Sequence, residues 1–280
     1  MGAPQFVAIG HVTLDRFGDE ARPGGAALYA AVTADRLGLT AGVLTSHADD
    51  FPLEAVPPRI EVVTVPAAQT TRFEHRRRKQ GRVLGVSTVA RPITAADVPE
   101  DWREAELLLL APVLGEVDPA VIAEFPDAAV AAAAQGWLRA VSQEGQVLPS
   151  PWTAPPALLE RLQALFVSAE DVRRAPLVTE WIQRVPVAVV TAGAAGCLLY
   201  VNGERYSVRP RRSREVDPTG AGDVFAAAFM VRYRVDGDPW QAAESAACAA
   251  GLSVEGAGWS AVPDAAGLRR ALAEYRAADS

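Results

Sequence analysis

The sequence predicts an α/β fold in which a mostly parallel central sheet lies between two layers of helices. Apolar runs of strand length alternate with helical patterns along most of the 280 residues, which is typical of βαβ units. Each run is almost continuously apolar, as strands covered on both faces should be. Residues 60–93 differ, because they have no helical period and are rich in Val and Thr. They predict a small antiparallel β lid outside the main sheet.

The individual elements follow in chain order. Strands are expected at residues 6–9, 41–45, 107–111, 128–133, 165–168, 187–191 and 205–210. Helices are expected from the glycines at 24 and 25 to Leu37, over a shortened stretch at 51–56, and at 222–234, 240–254 and 265–275. The lid strands come from roughly 10–23 and 60–93, with a turn at Gln80-Gly81, and residues 1–280 form a single domain.

Composition narrows the class of partner. Half of the residues are hydrophobic, so the chain can bury a large core. The net charge of −7 argues against binding to nucleic acid or to an anionic membrane, and favours a small molecule. The basic run 76–79 is interpreted as protection of an exposed sheet edge. No leader or membrane-spanning run is found, and we expect a cytoplasmic protein. The two cysteines form no disulfide framework.

The most informative segment is Gly220-Ala221-Gly222-Asp223 at the start of a predicted helix. Two glycines around an alanine let the backbone turn sharply and present its N–H groups at the positive end of the helix, which makes an anion hole. A carboxylate in the first turn can accept a proton from an attacking hydroxyl. Phosphoryl transfer needs both features. The alternative interpretation is a glycine-rich turn whose acidic residue favours the helix dipole.

The whole string from 216 to 229 resembles the C-terminal signature of the PfkB, or ribokinase-like, family of carbohydrate kinases. The resemblance implies a three-layer ribokinase-like α/β/α fold with Asp223 as the catalytic base. It implies that the turn before Asp223 is the anion hole, and that ATP and Mg²⁺ are the cofactors. Asp217 is similar to the family's position near the nucleotide and a monovalent cation.

The N-terminal part of the chain extends the resemblance. The segment 10–15 followed by Gly24 and Gly25 resembles the family's first strand, substrate aspartate and glycine hinge. The resemblance implies that Asp15 holds hydroxyls of a sugar or polyol. The alternative is an ordinary turn carboxylate. Two adjacent glycines also allow a lid to swing over substrate.

Further segments resemble the nucleotide side of the family's site. Residues 191–196 look like its nucleotide loop at the carboxyl edge of the sheet, and residues 246–258 look like its adenine-side helix and the following loop. The alternative interpretation of residues 246–258 is a buried helix of small residues that packs closely on the sheet. The residues that the resemblance assigns to the nucleotide, besides Asp217 and the anion hole, are Ser168, Thr191, Gly193, Gly196, Cys248 and Gly258.

The family's acidic motif is altered in this chain. Where the family commonly has Asn-x-x-Glu, the chain has Ser168-Ala169-Glu170-Asp171. Mg²⁺ keeps several waters and needs few direct protein ligands, so water-mediated organisation of the metal by Asp171 or Glu170 is expected. The sequence does not decide which carboxylate serves the metal.

The residues expected to contact the phosphoryl acceptor indicate that the acceptor is a cyclitol rather than ribose. The segment Ala26-Ala27-Leu28-Tyr29 stands where ribokinases carry a lysine and an asparagine after the glycines, and the string 134–139 looks most like the inositol-kinase branch of the family. Arg139 then contacts substrate or phosphate, or is instead a solvated arginine stacked on Trp137.

The predicted function is ATP-dependent phosphorylation of a hydroxyl on a small polyol or sugar, with myo-inositol or a related cyclitol preferred. The alternatives are a ketose, sugar or nucleoside kinase of the same family, and a non-catalytic sugar- or nucleotide-binding regulator. The lid is the family's usual dimer element, so a homodimer through the lid is also compatible with the resemblance.

Overall fold

The computed structural model describes the backbone of residues 2–78 and 81–278. The strands are β1 (Phe6–Ile9), β2 (Thr13–Phe17), β3 (Glu20–Gly24), β4 (Ala41–His47), β5 (Glu61–Pro66), β6 (Thr71–Arg78), β7 (Gly81–Thr88), β8 (Leu107–Leu110), β9 (Ala129–Ala133), β10 (Arg139–Val141), β11 (Val147–Pro149), β12 (Leu162–Ser168), β13 (Val187–Thr191), β14 (Cys197–Val201) and β15 (Glu204–Val208). The α-helices are α1 (Ala26–Arg36), α2 (Pro156–Arg161), α3 (Ala169–Arg174), α4 (Val178–Arg184), α5 (Ala221–Asp236), α6 (Pro239–Ser253) and α7 (Ala265–Ala277).

A nine-stranded sheet runs in the order β15-β14-β13-β12-β9-β8-β1-β4-β5. All its pairs from β13 to β5 are parallel, and β14 and β15 close one edge as an antiparallel hairpin. The predicted mostly parallel sheet is therefore confirmed. The lid range 60–93 was too wide at its start, because β5 joins the main sheet beside β4. An edge strand such as β5 is only partly covered by neighbouring elements. Its mixture of Val and Thr is therefore the same as that of a lid strand, and the sequence does not distinguish the two.

Helices cover both faces of this sheet. Four of them, α1, α5, α6 and α7, supply the buried residues of one face, where Phe225 and Phe229 of α5 meet the ring of Phe166 at 6.2 and 5.4 Å. The opposite face is covered by Leu158 of α2, by Trp181 of α4 and by short turns, one of which ends at Phe125. The three layers thus confirm the predicted fold class. None of the helices in the described part of the chain combines the length and apolarity of a membrane span.

Four strands in the order β3-β2-β6-β7 form the lid. The lid is mixed rather than purely antiparallel, because β2 and β6 run parallel. His11, just after β1, joins it to the main sheet, since its Nδ1 lies 2.8 Å from the hydroxyl of Thr71 and its Nε2 lies 2.8 Å from the carbonyl oxygen of Arg91. The predicted turn at Gln80-Gly81 and the side chains of the basic run 76–79 lie outside the described residues.

The sequence did not predict the hairpin of β10 and β11. It leaves the main sheet after β9 and returns before α2. Its turn contacts the lid, because the Val86 N–H donates to the carbonyl oxygen of Gly145 at 2.7 Å and Gln146 forms a bridge with Gly85. The hairpin therefore connects the outer edge of the lid to the body of the protein.

The close approach of β1 and β8 at their carboxyl ends generates a stability prediction. A Cβ at Gly10 would overlap the carbonyl oxygen of Ala111, so Gly10→Ala should lower the free energy of unfolding by roughly 1–3 kcal/mol, as overpacking does. In Gly85→Ala the new Cβ meets nothing closer than 3.5 Å, and we expect a change within about 0.5 kcal/mol. Urea unfolding measures both variants. Equal midpoints for the two would show that the contact does not require glycine.

Candidate active site

A cavity of about 160 Å³ lies between the lid and the carboxyl ends of the parallel strands. Chain segments after parallel strands meet at this edge of a sheet, which is where α/β proteins bind ligands. The lid supplies Asp15, and α1 supplies Tyr29. The turn after β9 supplies Gln135, the start of β10 supplies Arg139, and the start of α5 supplies Asp223.

The first turn of α5 has the geometry of an anion hole. Gly220 adopts a left-handed conformation, φ 77°, and a Cβ there would overlap the ring of Tyr29. The Ala221 N–H donates to the carbonyl oxygen of Pro218 at 3.3 Å. Among the described residues nothing accepts a hydrogen bond from the N–H groups of Gly220 and Gly222. Two of the three predicted N–H donors are thus free to bind an anion.

Asp223 lies in the first turn of α5 and lines the cavity. Burial raises the pKa of its carboxyl to about 7, and the positive charge of Arg139 opposes that rise. A carboxylate with a pKa near the working pH is well matched to accept a proton from a hydroxyl and to release it afterwards.

Asp15 faces the same cavity from strand β2. Burial raises the pKa of its carboxyl to about 6, while a 3.0 Å hydrogen bond from the Thr13 hydroxyl acts in the opposite direction. A Cβ at Gly24 would lie 2.6 Å from Asp15 Oδ2, so glycine leaves room for the carboxylate. Gly25 caps α1 with a positive φ of 110°. The structure thus brings together the three residues that the sequence predicted for this corner.

Arg139 is the cation of the cavity. Its Nη1 donates to the carbonyl oxygen of Val113 at 3.1 Å, and no other described residue accepts from its guanidinium. Burial lowers its pKa, and the charges of Asp171 and Asp223 oppose that effect. The alternative of a solvated arginine stacked on Trp137 is wrong, because the arginine–ring contacts among the described residues do not include Arg139 with Trp137, and the guanidinium instead bonds the Val113 carbonyl.

The altered acidic motif forms the start of α3. The Ser168 hydroxyl accepts from the Asp171 N–H at 3.1 Å, and Asp171 Oδ2 accepts from the Ser168 N–H at 2.9 Å and from its hydroxyl at 2.7 Å. This reciprocal pair is a capping box. Glu170 forms an ion pair with Arg174 one turn later. Each carboxylate therefore already has a protein partner.

A second chamber, of about 430 Å³, adjoins the first cavity. The two share Leu84, Gln135 and Arg139. The hairpin of β10 and β11 and helix α3 supply most of its remaining wall, which includes Gln146, Val147, Leu148, Pro149, Glu170, Asp171 and Arg174.

The residues predicted for the nucleotide do not all meet at these cavities. Asp217 does adjoin the anion hole, since its Oδ1 accepts from the Thr219 N–H at 3.0 Å and its Oδ2 accepts from the Gly258 N–H at 3.3 Å. Thr191, Gly193 and Gly196 form the turn between β13 and β14 and line neither chamber.

Cys248 does not fit its predicted nucleotide contact. It is fully buried, and its Sγ lies 3.9 Å from the carbonyl oxygen of Ala271 in α7. The side of α6 that carries Cys248 packs against α7, so the thiol presents no surface to a ligand. Both cysteines are free and buried, as expected from the sequence.

Sequence reasoning missed Glu116 as part of the framework of the site. Only 4% of this residue is exposed, and its carboxylate accepts from the N–H groups of His11 at 2.9 Å, Val113 at 2.9 Å and Leu114 at 2.7 Å. It therefore fixes the loop after β8 against the end of β1. The sequence feature that could have revealed Glu116 is a single acidic residue soon after an apolar strand. Arg22 of the lid, which lies 3.5 Å from Asp217, was also missed.

Comparisons with known proteins agree with this architecture. A cytidine kinase of Thermococcus kodakarensis is 28% identical over 258 residues, which cover 81% of this chain and 88% of that protein. An inositol 3-kinase of Zea mays is 36% identical over 143 residues, but these cover only 49% of this chain and 36% of that protein. A pyrophosphate-dependent kinase of the ribokinase family, solved with a pyrophosphate analogue and myo-inositol, superposes with a TM-score of 0.79 at 22% identity, covering 95% of this chain and 99% of that one.

The family comparison covers most of the molecule. The family described as pfkB family carbohydrate kinase matches residues 13–265, a range that contains the lid, the cavity and the whole first turn of α5. The chain therefore belongs to the PfkB family of carbohydrate kinases.

Proposed function

We propose that this kinase transfers the terminal phosphoryl group of ATP to a hydroxyl of a small polyhydroxy ring, with Asp223 as the general base. One observation carries the proposal. A carboxyl whose pKa is raised to about 7 shares a cavity of about 160 Å³ with a second carboxyl and an arginine, beside a helix start with free N–H groups.

Each residue then has a defined task. Asp15 accepts hydrogen bonds from ring hydroxyls, and Asp223 takes the proton of the hydroxyl that attacks phosphorus. A positioned base of this kind contributes on the order of 10²–10⁴ in rate. The N–H groups of Gly220 and Gly222 stabilise the charge on the transferred group, at roughly 3 kcal/mol for each donor. Arg139 binds an oxygen of that group or of the acceptor through its free N–H groups.

The donor side needs positive charge from outside the chain. Mg²⁺ neutralises adjacent phosphate oxygens in kinases of this chemistry. The carboxylates of Asp171 and Glu170 line the second chamber and suit contacts through metal-bound water. Asp217, with two backbone donors on its oxygens, is the residue that we assign to the nucleotide and a monovalent cation.

ATP is the donor expected for a kinase of this family. The turn that contains Thr191, Gly193 and Gly196, together with Gly258, is our proposed nucleotide contact. Pyrophosphate is the alternative donor to test, because one similar structure is that of a pyrophosphate-dependent kinase.

A cyclitol is the preferred acceptor. The first cavity, at about 160 Å³, is smaller than the roughly 300–1,000 Å³ usual for drug-sized ligands, so it suits a single ring. The second candidate acceptor is a nucleoside. The second chamber favours it, because apolar walls and the amides of Gln135 and Gln146 match the face and the edge of a base.

A panel of acceptor compounds, tested on the wild type and on a variant of the second chamber, distinguishes a cyclitol from a nucleoside as the acceptor. With ATP or pyrophosphate as donor, we expect myo-inositol to exceed ribose, fructose and cytidine in kcat/KM by about tenfold or more, because buried polar groups without partners are costly. Leu148→Trp narrows the second chamber from its β11 wall, away from the carboxylates on α3, and should leave the value for myo-inositol within about twofold. Leu177→Trp, at another exposed leucine outside both chambers, is the matched control.

The outcomes of this panel are distinct. If cytidine ranks first and Leu148→Trp lowers its kcat/KM by about tenfold while Leu177→Trp does not, the acceptor is a nucleoside. If neither donor supports phosphorylation of any compound, the proposed function is wrong.

The raised pKa of Asp223 also predicts how stability changes with pH. The folded state favours the neutral carboxyl, so its stabilising contribution is complete below the ordinary pKa of 3.8 and is lost as pH rises through about 7. Asp223→Asn should therefore have a higher Tm than the wild type at pH 8, and the difference should shrink towards pH 4. Asp15→Asn should behave in the same direction, with the change complete at a pH near 6. Tm differences that do not change with pH would contradict the shifts.

Asp171 can be tested apart from its structural role. Asp171→Ala removes the carboxylate half of the capping box on Ser168 and should cost about 1 kcal/mol of stability. Asp97→Ala removes the same kind of capping box, with Thr94, outside both chambers, and is the matched control. We expect only Asp171→Ala to raise the Mg²⁺ concentration needed for half-maximal rate. Superimposable Mg²⁺ titrations of the two variants would remove Asp171 from the metal site.

A further inference from the structure

Arg22 lies on the face of the lid that is turned towards the cavity. In the antiparallel pair of β2 and β3 it stands directly opposite Asp15. Residues opposite each other in such a pair project from the same face of the sheet. Because the Asp15 carboxyl lines the cavity, Arg22 projects towards the body of the protein as well.

The guanidinium of Arg22 is held in a fixed orientation. Its Nε and Nη2 donate to the two carboxylate oxygens of Glu20 at 2.7 and 2.8 Å, and the group lies 5.5 Å from the centre of the Phe17 ring. A bidentate arginine–carboxylate pair restricts the guanidinium plane. The remaining nitrogen, Nη1, lies 3.5 Å from Asp217 Oδ2 across the gap between lid and body.

Asp217 links that contact to the donor side. The same carboxylate accepts from the N–H groups of Thr219, beside the anion hole, and of Gly258, in the turn after α6. Burial alone would raise the pKa of Asp217, but these hydrogen bonds and the charge of Arg22 hold it below its usual value. A single ionised carboxylate thus joins the lid to two segments on the donor side.

We propose that Arg22 is a positioning residue that couples the acceptor to the donor through Asp217. The inference rests on the proposed function. An acceptor bound to Asp15 orders the β2–β3 hairpin and with it the opposite residue, Arg22. The ion pair then stabilises Asp217 in the position that orients Thr219 and the anion hole. Binding of acceptor and donor should therefore strengthen each other by the same factor.

The test measures this coupling factor directly. The Kd of a donor analogue that is not cleaved, Mg–AMP-PNP, or Mg–imidodiphosphate if the panel shows pyrophosphate to be the donor, is measured with and without saturating myo-inositol, or cytidine if the panel ranks cytidine first. Couplings between sites are typically about 5–150-fold, and we expect the wild type to fall in this range. Arg22→Gln should reduce the factor to below about twofold. Arg16→Gln is the matched control, because Arg16 is an exposed arginine of the same hairpin, bonded to the Gly18 carbonyl, and should keep the wild-type factor.

A double-mutant cycle shows whether Arg22 acts through Asp217. Asp217→Asn should also abolish the coupling, and adding Arg22→Gln to it should change nothing further. Hydrogen exchange without ligand gives an independent readout, since residues 13–24 should exchange faster in Arg22→Gln than in Arg16→Gln.

Two outcomes overturn the inference while leaving the kinase intact. One is phosphotransfer in which donor and acceptor bind independently in the wild type, and the other is unchanged coupling in Arg22→Gln. If the wild type binds neither ligand and phosphorylates nothing, the proposed function fails, and the coupling fails with it.

Discussion

The balance of charge in one small cavity is the constraint on which the proposed chemistry depends. Two carboxyls, Asp15 and Asp223, line this cavity, and their removal from water raises the pKa of both into the range from about 6 to about 7. Arg139 opposes the rise at each of them. Without that arginine, burial would drive both pKa values further up and leave a proton on the base. A second unpaired arginine would push the pKa down and make the carboxylate a poor acceptor of protons.

The framework around the cavity keeps these groups at fixed positions. Glu116 ties the loop after β8 to the end of β1, and His11 ties the end of β1 to the lid. Glycines lie where a Cβ would overlap a neighbouring group, as at Gly220 beside the ring of Tyr29. The framework raises the pKa of these carboxyls, so they reduce stability as the pH rises from their ordinary pKa of 3.8 through the raised values. Such a cost is common at functional sites, where the geometry is set by the surroundings.

The sequence predicts the features that are encoded locally. Continuous apolar runs reveal the parallel strands, and the glycines before Asp223 reveal the helix start, because both depend on neighbouring residues. The hairpin after Arg139, the place of β5 and the contact of Arg22 with Asp217 depend on distant parts of the chain. Cys248 illustrates a different difficulty. Helix α6 is rich in small residues on all sides, so its pattern does not show which face meets α7.

The pH dependence of kcat/KM in the wild type and in Asp223→Asn tests the central claim, that Asp223 is the base, most directly. Both enzymes are compared at saturating donor with the acceptor that the wild type uses best. The account predicts that the wild-type value rises with pH through about 7. It also predicts that Asp223→Asn is slower by about 100-fold or more above that pH and has lost this rise. A variant that stays within about tenfold of the wild type and keeps the same pH profile would contradict the assignment of Asp223 as the base.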